Sequence, residues 1–306
     1  MKKKILITIG ILFGVLLLSL AAYGFYLYKS VTDTVAEIHV PLEREQSSKR
    51  EIKVDVEQKE PLSFLITGID ARGDNLSGRT DTIIVMTVNP EDQSVKMLSI
   101  PRDTRTEIVG RGMQDKINHA HAFGGMEMTI DTVEHFLDIP IDHYVSINME
   151  GFKGLVDAMG GVTVDNAFAF NQSGHSFAEG ELFLTGDEAL AYARMRKNDP
   201  RGDFGRNDRQ RQIVDAVIQE GAQLGSITRV GDILGVVGNS VRTDLSLDDM
   251  WKVQSKYRDA RHNIAQMEIK GNGTTINGIY YLQVPEEEIS RVKTELRTHL
   301  GLETAL

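Results

Sequence analysis

The 306-residue chain contains no cysteine, which excludes disulfides and thiolate metal sites. Positive charge is in deficit: 34 lysines and arginines against 44 acidic residues give a formal net charge of −10. General nucleic-acid binding, which needs a broad basic face, is thereby disfavoured. Phosphate-cradling G-x-x-x-x-G-K-[ST], G-x-S-x-G and H-E-x-x-H are all missing. Gly271-Asn272-Gly273 lacks the third glycine of a dinucleotide fingerprint, and His119 and His121, two apart, have no evident third partner for zinc. The single tryptophan, Trp251, and the Tyr280–Tyr281 pair read as core residues rather than ligand platforms. There is no internal repeat and no low-complexity tract.

What is present supports one large or two ordinary domains, since 41% of residues are hydrophobic and 25% charged. Residues 1–4, MKKK, precede an uncharged run at 5–28. As a helix that run reaches about 36 Å, enough for a hydrocarbon core of roughly 30 Å. Tyr23, Tyr26 and Tyr28 suit an aromatic interface belt, and the lysine excess before the run places the N-terminus inside. A cleavable signal ending near Ser19-Leu20-Ala21 is the rival reading, but the apolar run continues past it. The expected organisation is therefore a cytoplasmic N-terminus (1–4), a transmembrane anchor (5–28), an extracytoplasmic stalk (29–61) and a globular domain (62–306). That organisation is the one expected of a single-pass type II cell-membrane protein with its working domain outside.

Within the domain, short β-rich runs predict strands at 62–69, 82–89, 94–100 and 143–148, with later ones in NIAQMEIKG and GIYYLQV. Helices are expected at 125–137, 149–159, 206–224, 227–239, 247–259 and 286–299. LTGDEALAYARMR is a further helix, with Thr185 and Glu188 in a capping-box relation. The alternation argues for an α/β fold: an α-β-α layered domain with a central mixed sheet, preceded by one N-terminal transmembrane helix.

Ligands of open α/β sheets sit beyond the carboxyl ends of strands. The first strand runs into a loop carrying Asp70, Arg72, Arg79 and Asp81; the third runs into Arg102, Asp103 and Arg105; a further loop carries Lys116. Residues 194–211, RMRKNDPRGDFGRNDRQR, hold six arginines and one lysine against three aspartates, in an otherwise acidic chain. If a helix starts near Arg206, then Arg206, Gln210, Ile213, Val217 and Leu224 form one buried stripe, with Arg209 on its edge and Asp208, Gln212, Asp215 and Gln219 opposite. Cations in a first turn oppose the helix dipole, and both oddities are relieved by an external anion. Arginine pairs bidentately with phosphate oxygens, and Arg194 and Arg196 would complete a clamp. With Asp70 and Asp81 nearby, the pattern suggests a diphosphate with a divalent cation.

The segments GID, GRTDTIIVMTVNP, SIPRDT, KINHAHAFGG, GGVTVD and RMRKNDPRGDFGRNDRQRQ, together with the anchor, resemble the LytR–CpsA–Psr family over residues 62–225. Within it the chain is most similar to the teichoic acid transferases of Gram-positive bacteria. The resemblance implies a phosphotransferase moving an anionic glycopolymer, such as wall teichoic acid, from an undecaprenyl-diphosphate carrier to a muramic acid hydroxyl of peptidoglycan, forming a phosphodiester. It implies that Arg79, Arg102, Arg194, Arg196, Arg206 and Arg209 bind the diphosphate, supported by Gln210. Asp70 and Asp81 would hold Mg2+, or Mn2+ in its place, and Asp203 would orient the arginines or sit near the metal. Asp81, Arg79, Arg102 and Asp203 form the implied catalytic set. The partners implied are the lipid-linked glycopolymer, peptidoglycan and membrane lipid, without nucleic acid. A lipid-diphosphate hydrolase and a non-catalytic polyprenyl-phosphate receptor are the alternatives. The apolar pocket for the prenyl chain has no sequence signature.

Overall fold

The computed structural model describes residues 2–71, 76–223, 233, 238 and 240–303. Its centre is a six-stranded mixed sheet. The strands are β1 (Leu62–Ile69), β2 (Thr80–Asn89), β3 (Ser94–Ser99), β6 (His143–Asn148), β11 (Val241–Thr243) and β12 (Ile264–Glu268), in the order β11-β6-β1-β2-β3-β12. β1 pairs parallel with β6 and antiparallel with β2; β3 is antiparallel to β2 and parallel to β12. Strands β1, β3, β6 and β12 therefore point their carboxyl ends to one edge.

Alternation along the strands divides the apolar side chains between two faces. Leu65, Ile83, Val85, Leu98 and Ile100 face one core. It is covered by α2 (His119–Leu137) and the C-terminal helix, α7 (Glu286–His299). Leu62, Phe64, Ile84, Val88 and Met97 face the other, where Tyr257, Leu245 and Val214 pack. Val214 comes from α5 (Asp203–Gln223), and α6 (Leu247–Lys256) lies on the same side. A third core gathers α3 (Met149–Ala158) and α4 (Gly186–Arg194) with Phe170, Phe177, Tyr192 and Ile213.

Two-stranded ribbons complete the fold: β4 (Arg105–Ile108) with β5 (Met113–Lys116), β7 (Val162–Asn166) with β10 (Gly180–Leu184), β8 (Phe170–Gln172) with β9 (His175–Phe177), and β13 (Asn272–Ile276) with β14 (Ile279–Gln283). Glu188 accepts from the Thr185 amide at 2.9 Å and from its hydroxyl at 2.8 Å, as the capping pattern predicts.

Several elements differ from expectation. Helix α2 starts at His119, six residues early, and breaks where the pattern begins: Gly125 has φ 66° and ψ −152°, a conformation open to glycine alone. Trp251 is 64% exposed on α6, a helix with no buried residue, and Tyr280 is half exposed, so only Tyr281 of those aromatics is core. The expected helix at 227–239 lies outside the described residues except for positions 233 and 238, and Arg72 lies outside them too.

The N-terminal run belongs to one 37-residue helix, α1 (Lys2–Ile38). Among the described residues no helix is long and apolar enough to cross a membrane. The segment after α1, expected as stalk, is docked on the body. Arg44 reaches Glu134 with two 2.8 Å bonds, Arg50 reaches Asp142 at 2.6 and 2.8 Å, and Val56 is buried in the second core.

Candidate active site

At the carboxyl edge of the sheet, backbone pairing brings the charged loops together. The Asp70 amide donates to the Arg79 carbonyl at 3.0 Å, closing the neck of the β1–β2 loop. The turn after β3 is held by the Thr104 amide on the Pro101 carbonyl at 2.9 Å, and Asn118 donates its amide to the Arg102 carbonyl at 3.3 Å. Arg102 lies beside the β1–β2 loop, its Nη1 2.9 Å from Asp81 Oδ1 and its Nε 3.7 Å from Asp103 Oδ2. Burial by itself would lower the Arg102 pKa, but Asp81, Asp203 and Asp103 together lift it above the ordinary arginine value.

Helix α5 supplies the opposite wall. It begins at Asp203, so an aspartate occupies its first turn and Arg206 sits one turn in. The expected conflict with the helix dipole is thereby relieved internally. The stronger evidence for an anion is different. Arg206 is 6% exposed, and its Nη2 is shared between Asp203 Oδ2 at 3.1 Å and the Asp81 carbonyl at 3.4 Å. Its Nε has no hydrogen-bond partner among the described residues. Burial depresses the Arg206 pKa, and the nearby Arg102 and Arg196 depress it further against Asp203 and Asp81. A buried guanidinium with an unused donor and cationic neighbours is poised for an anionic ligand.

These groups surround a cavity of about 640 Å³. Arg102, Arg194, Arg196, Arg206 and Gln210 line it with Asp70 and Asp81, while Ile66, Ile147, Phe152, Leu190 and Val214 supply an apolar wall. Arg194 lies 3.4 Å from the Met149 sulfur, and Arg196 lies 3.8 Å from Asp203. A second cavity of about 270 Å³ shares Asp70, Asp81 and Arg102 and adds Arg79, Asp103, Lys116, Asn118 and His119. Asp203 borders neither cavity but steadies two of the clamp arginines.

Arg209 is the exception among the expected ligands. It is 5% exposed and turned into the protein, with Nη1 on Asp199 at 2.6 Å, Nη2 on the Met195 carbonyl at 2.6 Å and Nε on the Tyr192 carbonyl at 3.2 Å. Its donors are spent on holding the 195–199 loop to α5. Arg201 pairs with Asp208 and Glu268, and Arg211 with Asp208, so these two also serve the frame. The opposite face of α5 is not free: Asn207 and Arg211 are buried, and Asp208, Gln212, Asp215 and Gln219 only partly exposed, because the helix lies between two cores. His119 and His121 diverge, the latter bonding the Gly78 carbonyl at 2.9 Å, and no group of three or more acidic or histidine side chains among the described residues could hold a metal.

Residues 25–298 match the LytR_cpsA_psr family. The chain belongs to that family. It is 64% identical over 302 residues to the polyisoprenyl-teichoic acid–peptidoglycan teichoic acid transferase TagU of Halalkalibacterium halodurans, covering 98% of this chain and 99% of the relative. The crystal structure of Bacillus subtilis TagU is similar at TM-score 0.66 and 51% identity, covering 81% of this chain and 99% of that one. A structure of TagT bound to LIIa-WTA is similar at TM-score 0.74 and 33% identity, covering 86% and 100%.

The apolar wall is the part of this family member's site that sequence reasoning missed. Its residues come singly from β1, β6, α3, α4 and α5, so no local pattern announces them. The one available signal is the spacing of Gln210 and Val214, four apart on α5 and both facing the cavity.

Proposed function

We propose that this chain is a phosphotransferase that moves an anionic wall glycopolymer from an undecaprenyl-diphosphate carrier to a muramic acid hydroxyl of peptidoglycan, forming a phosphodiester. The observation that carries this reading is the two-part character of the larger cavity. An arginine mouth suits a diphosphate, and the apolar wall behind it suits a prenyl chain. The names of the relatives supply the polymer and the acceptor as expectations. On this reading Arg102, Arg194, Arg196 and Arg206 bind the diphosphate with Gln210 beside them, Arg79 approaches from the second cavity, and Asp203 keeps Arg196 and Arg206 aligned.

Asp70 and Asp81 border both cavities, and these two carboxylates would be the residues to hold a magnesium ion, a hard cation suited to oxygen ligands. Such a cation supplies charge neutralisation at the phosphate oxygens when bound. The arginines do the same from fixed positions, which lowers the cost of the charge that builds up in transfer. The membrane anchor belongs to the same proposal. Phe13, Leu16, Leu17, Leu18 and Phe25 of α1 stand exposed, and an apolar helix surface without protein cover is accounted for by lipid. The orientation follows from the three lysines before the run, with the sheet domain extracytoplasmic.

The test uses the full chain in detergent with magnesium and a radiolabelled undecaprenyl-diphosphate-linked teichoic acid precursor, with and without peptidoglycan oligomers. Label joined to peptidoglycan only in the presence of acceptor supports the transferase. Release of lipid phosphate without acceptor makes the protein a hydrolase, and tight binding without product makes it a receptor.

A further inference from the structure

The smaller cavity has a chemistry of its own. Each residue that lines it is polar or charged, whereas its larger neighbour also has an apolar wall, and the two share Asp70, Asp81 and Arg102. At its far side lies a pair that the diphosphate reading does not use. His119 Nδ1 is 2.7 Å from Asp115 Oδ2. Asp115 is 9% exposed, and its other oxygen accepts from the Lys116 amide at 2.8 Å and from the Tyr281 hydroxyl at 3.2 Å. Burial alone would raise the Asp115 pKa, but its bonds from His119, Lys116 and Tyr281 hold it below the ordinary carboxylate range.

An ionised carboxylate only accepts hydrogen bonds, so His119 Nδ1 carries a proton, and in the neutral imidazole the lone pair is then on Nε2. The histidine lines the cavity and is fixed by Phe123, whose ring meets it edge-on at 5.9 Å. Asn118, 4% exposed, also lines the cavity, and its side-chain oxygen has no partner among the described residues. A buried polar atom left open beside an oriented histidine marks a place for a hydroxyl-rich ligand. Phe123, 37% exposed with Arg111 over its ring at 4.7 Å, offers an aromatic face at the same end.

We propose that the smaller cavity is the acceptor subsite, taking a hydroxyl-bearing sugar of a glycan, and that His119, oriented by Asp115, is the general base for its hydroxyl. This rests on the transferase reading. The acceptor O–H gives its proton to His119 Nε2, and the oxygen forms a bond to the phosphorus that carries the glycopolymer. The P–O bond to the bridging oxygen breaks, and the lipid phosphate leaves with that electron pair. The imidazolium then returns its proton to the lipid phosphate or to water. The arrangement explains why the shared wall carries Asp81 and Arg102: the bond that breaks lies between a lipid compartment and a sugar compartment.

The charged and titratable groups around His119 are Asp115 and Lys116 from its own approach, Asp70 and Arg79 from the β1–β2 loop with Asp81 at the start of β2, Arg102 and Asp103 after β3, Arg111 near Phe123, and the neutral phenol of Tyr281 on β14. The experiment measures acceptor-dependent transfer by the full-length protein and by His119→Gln, alongside donor binding. His119→Gln is expected to lose about 10²- to 10⁴-fold in kcat. Its Kd for the lipid-linked donor should stay within about twofold of wild type, and the acid limb of its pH–rate profile should vanish. Added imidazole should restore part of the turnover of His119→Ala, and Phe123→Ala should raise the acceptor KM. A His119→Gln protein with kcat within about threefold of wild type and an unchanged pH profile overturns the assignment. Wild-type protein that releases lipid phosphate without acceptor instead overturns the transferase reading, and the acceptor subsite with it.

Discussion

Arg206 and Arg209 stand three residues apart on α5, are equally buried, and should fail in opposite ways when replaced by methionine, which conserves much of their volume. Arg209 neutralises Asp199, whose side chain is 2% exposed, and bonds two carbonyls besides. Its loss leaves an unpaired buried carboxylate, a cost of about 3–5 kcal/mol. At about 2–4 °C per kcal/mol for a domain of this size, Tm should fall by about 6–20 °C. Arg206 is a different case. Burial and the neighbouring Arg102 and Arg196 depress its pKa, so folding pays for its charge at every pH below its titration. Asp203 stays 23% exposed and keeps Arg196 at 3.8 Å, so it is not stranded when Arg206 goes. Arg206→Met should therefore leave Tm unchanged or raised. It should nevertheless weaken binding of a lipid diphosphate by about 2–5 kcal/mol, or about 30-fold to several thousandfold in Kd. Thermal unfolding and donor binding measured on both variants decide the matter. An Arg209→Met protein with unchanged Tm and lost binding, or an Arg206→Met protein with lowered Tm and intact binding, would refute this division of labour.

Asp81→Asn should cut transfer by at least about 100-fold and flatten its magnesium titration, while donor affinity holds or tightens because Arg102 loses its 2.9 Å partner; full turnover would sink the cation assignment. Gly205→Ala should cost about 1–3 kcal/mol in thermal unfolding, because a Cβ there would overlap the Asp199 carboxylate that Arg209 holds. Burial would raise the Asp138 pKa, but Lys293 and Lys49, each 2.5 Å away, pull it down to about 2. A depressed carboxylate stabilises above its unfolded value and loses that contribution as pH falls through the folded one, so the hydrogen-exchange protection around Lys49, taken relative to the intrinsic rate at each pH, should fall between about pH 4 and 2. The carboxylate is 37% exposed, so screening keeps the effect on global stability below about 1 kcal/mol, and Asp138→Asn should reproduce the loosening at neutral pH.

Local pattern reached as far as local causes did. Five of the six sheet strands were legible because β-branched runs such as TIIVMTV carry both faces of a buried strand in one stretch, whereas the three residues of β11 were too few to read. The pattern starts a helix at Gly125, whereas α2 begins at His119 and only breaks at Gly125: glycine's backbone freedom marks an irregularity without saying whether it is a start or a kink. The four short ribbons were mostly not legible, since three- to five-residue strands give too little period to read. Arg209 illustrates the harder limit. It lies in the same run as Arg206, with the same residue type and the same helix, and only the return of Asp199 through the 195–199 turn tells them apart. Likewise Asp203 was expected outside the helix and in fact opens it, which alters the electrostatic reason for the site without altering its location. The polar, mixed-charge stretch at 29–61 reads as a stalk, and the partners of its Arg44, Lys49 and Arg50, namely Glu134, Asp138 and Asp142, lie some 90 residues away where no local pattern shows them.

How an acidic chain keeps a cationic site follows from the fate of the six arginines at 194–211. Arg201, Arg209 and Arg211 spend their charge on Asp199, Asp208 and Glu268, and so build the frame that fixes α5 against the 195–199 turn and β12. Arg194, Arg196 and Arg206 border the cavity, and Asp203 serves both of the latter two. The net potential of the segment is thus concentrated where the frame leaves it unspent, beside an apolar wall that limits screening by water. The chain's overall charge of −10 has little hold on that place, since exposed carboxylates beyond about 8–10 Å are screened by salt. A lysine-rich loop could match the charge, but flexible ammonium groups would not supply both roles. The paired carbonyl contacts of Arg209 and the shared Nη2 of Arg206 each need a planar group with several donors.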